Sequence, residues 1–357
     1  MAGVPDQPGR SGPGWNEPEY EVIGGGMIDD QRIGADPQRT GSAPSPAVFT
    51  AAVQEAWQSA RGSFTTWWFW LACAVGIALS WGMAAAVVGW GEANGWFETP
   101  VTSSTYLIMA AFLALMAAVL GVIWGFRNFQ GSFLGLLLAG AMRGVALSAP
   151  AFAVLLAIAI SVGGPIGLAA AAVVVMVLEV ALFGLMGAGS RACFTKGAPG
   201  AALAAALTVF FCVLNVVVTV LLLPGTSGTD QASVPVNVER DDTGRITSYE
   251  CIGSLHPVEV AHTDRVAWLA ASNPALLLGS VGAGFVPTDN EVGWVLAGLQ
   301  WAADGPARDV PCLGGESSEG LAPSMPVALT GFAAQTATAA LLAVAGRRLT
   351  ARRLRTS

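Results

Sequence analysis

From Trp67 to Leu223 the chain is an almost unbroken apolar block, interrupted by seven formal charges: Glu92, Glu98, Arg127, Arg143, Glu179, Arg191 and Lys196. A helix rising about 1.5 Å per residue needs roughly twenty apolar residues to cross a hydrocarbon core about 30 Å thick. The block contains several such runs end to end. The pattern predicts span one over about 67–88, entered through the aromatic belt WWFW at head-group level. It predicts span two over about 105–126, span three over about 145–163, span four over about 165–187 and span five over about 200–223. Gly163, Gly164 and Pro165 make the hairpin between spans three and four, because proline there ends a helix. A sixth, less apolar run follows at 326–346.

The stretches around the block have a different pattern. Residues 1–44 are rich in Pro and Gly and too poor in apolar residues to offset the entropy of ordering, so they read as a disordered tail. Between 45 and 66, Val48, Phe49, Val53 and Trp57 recur near helical spacing among Gln54, Glu55, Gln58 and Arg61. That pattern predicts an amphipathic helix on the membrane surface, a short soluble helix or linker being the plainer reading. Residues 224–325 are more polar, with acids outnumbering arginines. Within them, Val266 to Phe285 nearly reaches span length but is broken at Asn273-Pro274, since proline disfavours helix in the residue before it. Two half-helices dipping into the outer leaflet fit this stretch, and so does the core of a small outer domain. The fold class predicted is an all-α polytopic membrane protein: six transmembrane helices, an N-terminal surface helix, and an outer segment with half-helices between spans five and six.

Composition agrees, with 54% hydrophobic and 11% charged residues, the latter less than half the usual share. Charge placement sets the orientation. Arg61, Arg127, Arg143, Arg191, Lys196 and the arginines of the basic tail 347–357 fall on one side if there are six spans, and the short loops opposite carry no cation. By the positive-inside rule that side is cytoplasmic, with both termini there and the segment 224–325 outside a cell membrane. The net charge of −7 excludes a general attraction for nucleic acid, leaving the lipid bilayer as the first partner. No cleavable leader pattern is evident at the N-terminus. The five cysteines follow no metal-ligand spacing; Cys251 and Cys312 lie in the outer segment, where oxidising conditions allow a disulfide.

No phosphate loop and no dinucleotide-binding glycine pattern occurs, so no cofactor or resident metal is expected. Glu179 is the one ionisable residue inside a predicted span; a charge at that depth marks a functional site or is held by a hydroxyl or amide on a neighbouring helix. His256 and His262 lie near Glu250, Glu259 and Asp264, but the spacing matches no ligand signature and suits a solvated surface.

From Glu250 the chain reads ECIGSLHPVEVAHTDRVAWLAASNPALLLGSV. A cysteine-containing piece leads to His262, Thr263, Asp264 and Arg265, then Trp268-Leu269, then Asn273-Pro274 and apolar residues. This resembles the outer segment of actinobacterial ABC transporter permeases of the type-2 exporter superfamily. Gly131, Ser132, Phe133 and the run from Leu134 to Leu138 stand where that family has Gly-Thr-Leu and leucines, and Ser45-Pro46 stands where it has Asn-Pro. The family usually places acidic and basic residues just before its Gly-Thr-Leu, whereas Arg127-Asn128-Phe129-Gln130 stand here. The resemblance implies a permease subunit that is not itself an enzyme. It implies pairing with a second permease subunit, of the same or a related chain, and drive from a separate ABC ATPase. The ATPase would bear on a cytoplasmic loop from Arg127 to Arg143, with Phe129, Gly131, Phe133 and Leu134 as its candidate contacts. The rival reading is a non-transporting membrane scaffold or cell-envelope assembly protein with an outer interaction domain.

Overall fold

The computed structural model describes residues 46–95, 102–240, 246–286, 291–306, 310–315 and 326–356. The tail read at 1–44 and Glu98 lie outside them. Among the described residues six helices are long and apolar enough to cross a membrane: Trp67–Ala93, Ser104–Arg127, Phe133–Val162, Ile166–Cys193, Gly197–Thr226 and Val327–Arg355. The chain is thus a multi-pass, mostly α-helical membrane protein. Its large side chains point outward in a way water would penalise, with Leu221 73% and Leu341 71% exposed.

A surface helix α1 (Pro46–Phe64) precedes α2 (Trp67–Ala93) and α3 (Thr102–Arg127). In α1 the bulky residues Val48, Phe49 and Trp57 are exposed while Ala52, Ala56 and Ala60 are buried. The helix therefore packs through an alanine stripe of period four and leaves its large apolar side chains facing out.

Helices α4 (Phe133–Val162) and α5 (Ile166–Cys193) follow. The start of α4 corrects the hydropathy reading, which began span three near Val145 and placed Arg127 to Arg143 in a loop. Ser132 caps α4, its Oγ accepting the Gly135 amide at 2.9 Å. Only 128–132 is connector, so Phe133 and Leu134 belong to the first turn of a spanning helix. Arg143 misled that reading: an arginine argued against a span, yet it is buried inside one.

Span five is broken into α6 (Gly197–Val209), a π-helical turn (Phe210–Leu214) and α7 (Asn215–Leu222). A 3₁₀ turn, Leu223–Thr226, leads into β1 (Ser227–Arg240), which pairs antiparallel with β2 (Ile246–Ala261) in a hairpin bulged after Ala232 and Val236. The sequence reading contained no strand, although Val234, Val236 and Val238 alternate with Pro235, Asn237 and Glu239 at strand period. Short helices α8 (Asp264–Ala270), α9 (Pro274–Gly282) and α10 (Glu291–Asp304) precede α11 (Val327–Thr356). Residues 347–356, read as part of a separate basic tail, are the last turns of α11.

Helix α5 is the axis of the bundle. A Cβ on Gly125 of α3 would fall on the Gly184 carbonyl, one on Gly144 of α4 would come 2.9 Å from Val177 Cα, and one on Gly189 would come 2.8 Å from Leu342 of α11. Small residues let three helices approach α5 at backbone distance, which in lipid replaces the hydrophobic drive to associate.

Candidate functional site

The half-helices α8 and α9 turn at residues 271–274, and the turn is buried. Asn273 makes the turn. Its Oδ1 accepts the Ala275 amide at 3.0 Å, capping α9, and Pro274 takes the first helical position, where no amide hydrogen is missed. Its Nδ2 donates to the carbonyls of Phe211 at 3.0 Å and Cys212 at 2.9 Å. Those carbonyls belong to the π turn of span five, where the backbone bonds skip a residue and leave acceptors over. One side chain thus caps a half-helix and satisfies the break in a spanning helix. A Cβ on Gly331 of α11 would collide with the Ala271 carbonyl, so the sixth span lies directly on the turn.

Glu179 is wholly buried, about 20 Å along an α5 about 42 Å long, and so near mid-span. Its Oε1 accepts from Gln335 Nε2 of α11 at 2.9 Å, and the same Nε2 donates to the Ser272 carbonyl at 2.9 Å. Asn215 Nδ2 donates to Ser272 Oγ at 3.3 Å. Glu179, Gln335, Ser272, Asn273 and Asn215 therefore form one polar cluster inside the bundle, tying spans four, five and six to the re-entrant turn. Among the described residues no lysine or arginine lies within salt-bridge distance of Glu179. Glu179 and Asn273 were singled out from sequence; Gln335, Asn215 and Ser272 were not. Gln335 and Asn215 are the lone amides of their spans, the signal that would have found them.

The remaining residues of the outer motif lie elsewhere. His262 Nε2 is 3.2 Å from Asp230 Oδ2 on β1 and its Nδ1 is 4.0 Å from Asp264 Oδ1, so it pins the hairpin to the start of α8. Thr263 Oγ1 donates to the Ala302 carbonyl of α10 at 2.7 Å. Arg265 is exposed, its carbonyl accepting from Trp268 Nε1 at 2.8 Å. The motif is thus two structures: His262, Asp264 and Arg265 at the mouth of the re-entrant pair, and Asn273 with Pro274 at its foot. Cys251 and Cys312 are joined in a disulfide, which holds 310–315 against the hairpin, where Ser233 donates to the Cys312 carbonyl at 3.1 Å. Among the described residues no group of acids, histidines and cysteines is arranged to hold a metal ion.

A second constellation lies at the arginine-rich end. Glu55 of α1 accepts the Ser132 amide at 2.7 Å through Oε1 and the Ser132 hydroxyl at 2.6 Å through Oε2. A carboxylate at the start of α4 also meets the positive end of the helix dipole. Arg143 reaches back to α1, donating from Nε to Ser63 Oγ at 3.0 Å and from Nη2 to the Ser59 carbonyl at 3.0 Å and hydroxyl at 2.9 Å. The surface helix is clasped to α4 at two points. Of the loop residues expected to meet a partner, Gly131 is exposed with φ +137, which suits glycine alone, and a Cβ there would strike Glu55. Phe129 is half-buried beneath the Arg191 guanidinium, 4.9 Å from its ring. Phe133 and Leu134 are half-buried, Phe133 packing on the core that includes Val122 and Phe183. The apolar side chain of Phe133 is thus used within the bundle.

No protein-family model matches the chain, and no curated protein matches it.

Proposed function

We propose that the chain is the membrane-spanning permease subunit of an ABC exporter, driven by a separate ATPase subunit. The observation that carries this reading is the clasp of Glu55 on Ser132 and of Arg143 on Ser59 and Ser63. It makes the surface helix and the connector 128–132 one mechanical body fused to the end of α4. A push on that body reaches the bundle without slack, which is what conversion of ATPase closure into helix movement requires. The six spans, the surface helix and the half-helices before the last span are the layout that the sequence resemblance implies. On this reading the arginine-rich end is cytoplasmic in a cell membrane, both termini lie there, the disulfide-bearing hairpin is outside, and a second permease subunit completes the path. The connector lacks the charges usual in that family, so contact with the ATPase runs through Gln130, Gly131 and Ser132, which are exposed.

The scaffold reading draws on a different observation: the hairpin exposes Val234, Ile252 and Leu255, an apolar strip suited to binding another protein. Affinity purification of the full chain in mild detergent from its native host separates the two. An ABC ATPase in near-equal amount is the expected result. Reproducible recovery of envelope proteins with no ATPase would replace the exporter reading by the scaffold.

A further inference from the structure

Two buried atoms in the mid-span cluster have no hydrogen-bond partner: Glu179 Oε2 and Gln335 Oε1. Both residues are 0% exposed. They are the second oxygen of a carboxyl and the one oxygen of a carboxamide, groups already joined through their other arms, Gln335 Nε2 donating to Glu179 Oε1 at 2.9 Å. The amide cannot be turned to relieve them, because Nε2 also donates to the Ser272 carbonyl, and a reversed amide would set its oxygen against two acceptors. Two buried acceptors left bare on a directly hydrogen-bonded pair of side chains carry a large desolvation cost.

We infer that Glu179 and Gln335 form a proton-binding site, in which one proton on Glu179 Oε2 is donated to Gln335 Oε1 and closes a two-armed acid–amide pair. A single proton gives both orphaned atoms a partner and removes the buried charge. The step is an acid–base equilibrium with water; no electrons move and no bond between heavy atoms changes.

Among the described residues the surroundings supply no other means of neutralising the carboxyl. On the broken span the titratable neighbour is the Cys212 thiol. On α4, Arg143 is engaged with Ser59 and Ser63, and on α11 Arg353 binds the carbonyls of Ala192 and Cys193 at the far end. On α3, Arg127 stands at the arginine-rich terminus and Tyr106 donates to the Pro165 carbonyl at the opposite end. The re-entrant turn contributes Ser272 and Asn273, which are uncharged. The closed pair bolts the fourth span to the sixth beside the turn, so separating these elements exposes a carboxyl free to exchange its proton. This inference does not depend on the exporter reading.

Infrared spectroscopy of the full-length protein in lipid nanodiscs at neutral pH tests it. Wild type is expected to show the carbonyl stretch of a protonated carboxyl, independent of sodium concentration and absent from Glu179→Gln. The same variant, whose N–H replaces the acid O–H, is expected to melt with wild type, whereas Glu179→Ala and Gln335→Leu melt several degrees lower. Absence of that band, its persistence in Glu179→Gln, its replacement by a sodium-dependent carboxylate band, or a melting temperature of Glu179→Gln as low as that of Glu179→Ala would each overturn the assignment.

Discussion

Asn273 does three things at once, and its two ends can be separated by mutation. Asn273→Asp keeps an oxygen to cap α9 but loses the donor that serves the carbonyls of Phe211 and Cys212. Leaving buried acceptors bare costs about 1–3 kcal/mol. Asn273→Asp is therefore expected to be destabilised by at least as much as Asn273→Ala, measured by thermal unfolding in detergent. Were the cap the main contribution, Asn273→Asp would be nearly as stable as wild type. The sequence made Asn273 and Glu179 visible because each is out of place by ordinary rules, an amide before a mid-run proline and an acid in an apolar run. Their partners were not visible, because hydrogen bonding between residues more than 50 positions apart leaves no mark on local pattern.

At the scale of elements, the pairing of α1 with α4 rests on a carboxylate at a helix start and an arginine satisfied by serines. Glu55→Ala removes two of these bonds and leaves those of Arg143 in place. The expected result is faster hydrogen exchange along α1, by about tenfold if the net loss is about 1.4 kcal/mol, with exchange in the six spans unchanged. Uniform acceleration through the spans would mean instead that α1 is part of the bundle core. Element boundaries show where sequence reading fails physically. The sequence reading began span three only after Arg143, since isolated arginine is costly in lipid, but the cost depends on its partners, and Ser59 and Ser63 lie 84 and 80 residues away. The strands were overlooked for a different reason: the period-two valines of β1 stand in a segment whose acidic content dominated its reading, and its pairing partner begins only at Ile246.

The whole molecule divides its stability between two solvents. Within the spans, backbone-distance packing on α5 and the polar cluster hold the helices; in the polar segment after span five, Cys251–Cys312, 61 residues apart in sequence, ties the hairpin to 310–315. Closing a loop of that size restricts the unfolded segment by an amount worth about 4 kcal/mol in the chain-entropy account. Reduction is therefore expected to open the hairpin region to limited proteolysis while the spans stay intact, and thiol alkylation should add mass at these two cysteines only after reduction. Labelling of both without reductant would show that the bridge does not form. The number of spans was legible from hydropathy because the bilayer imposes a length on every helix that crosses it. The arrangement of the outer segment was not, since no comparable external ruler acts on it.

The π turn at Phe210–Leu214 also sets a phase. Inserting one residue into an α-helix rotates everything after it by about 100° relative to what precedes. Asn215 and Thr219 come round to the buried side in α7, while Ala204 and Gly200 occupy it in α6. On a plain helical wheel these residues drift steadily round by about 100° from Gly200 to Thr219, and the extra residue of the π turn takes that drift back, returning Thr219 to the line of Gly200. Span five thus keeps one buried face through its break, and the break is where the amide of Asn273 takes hold.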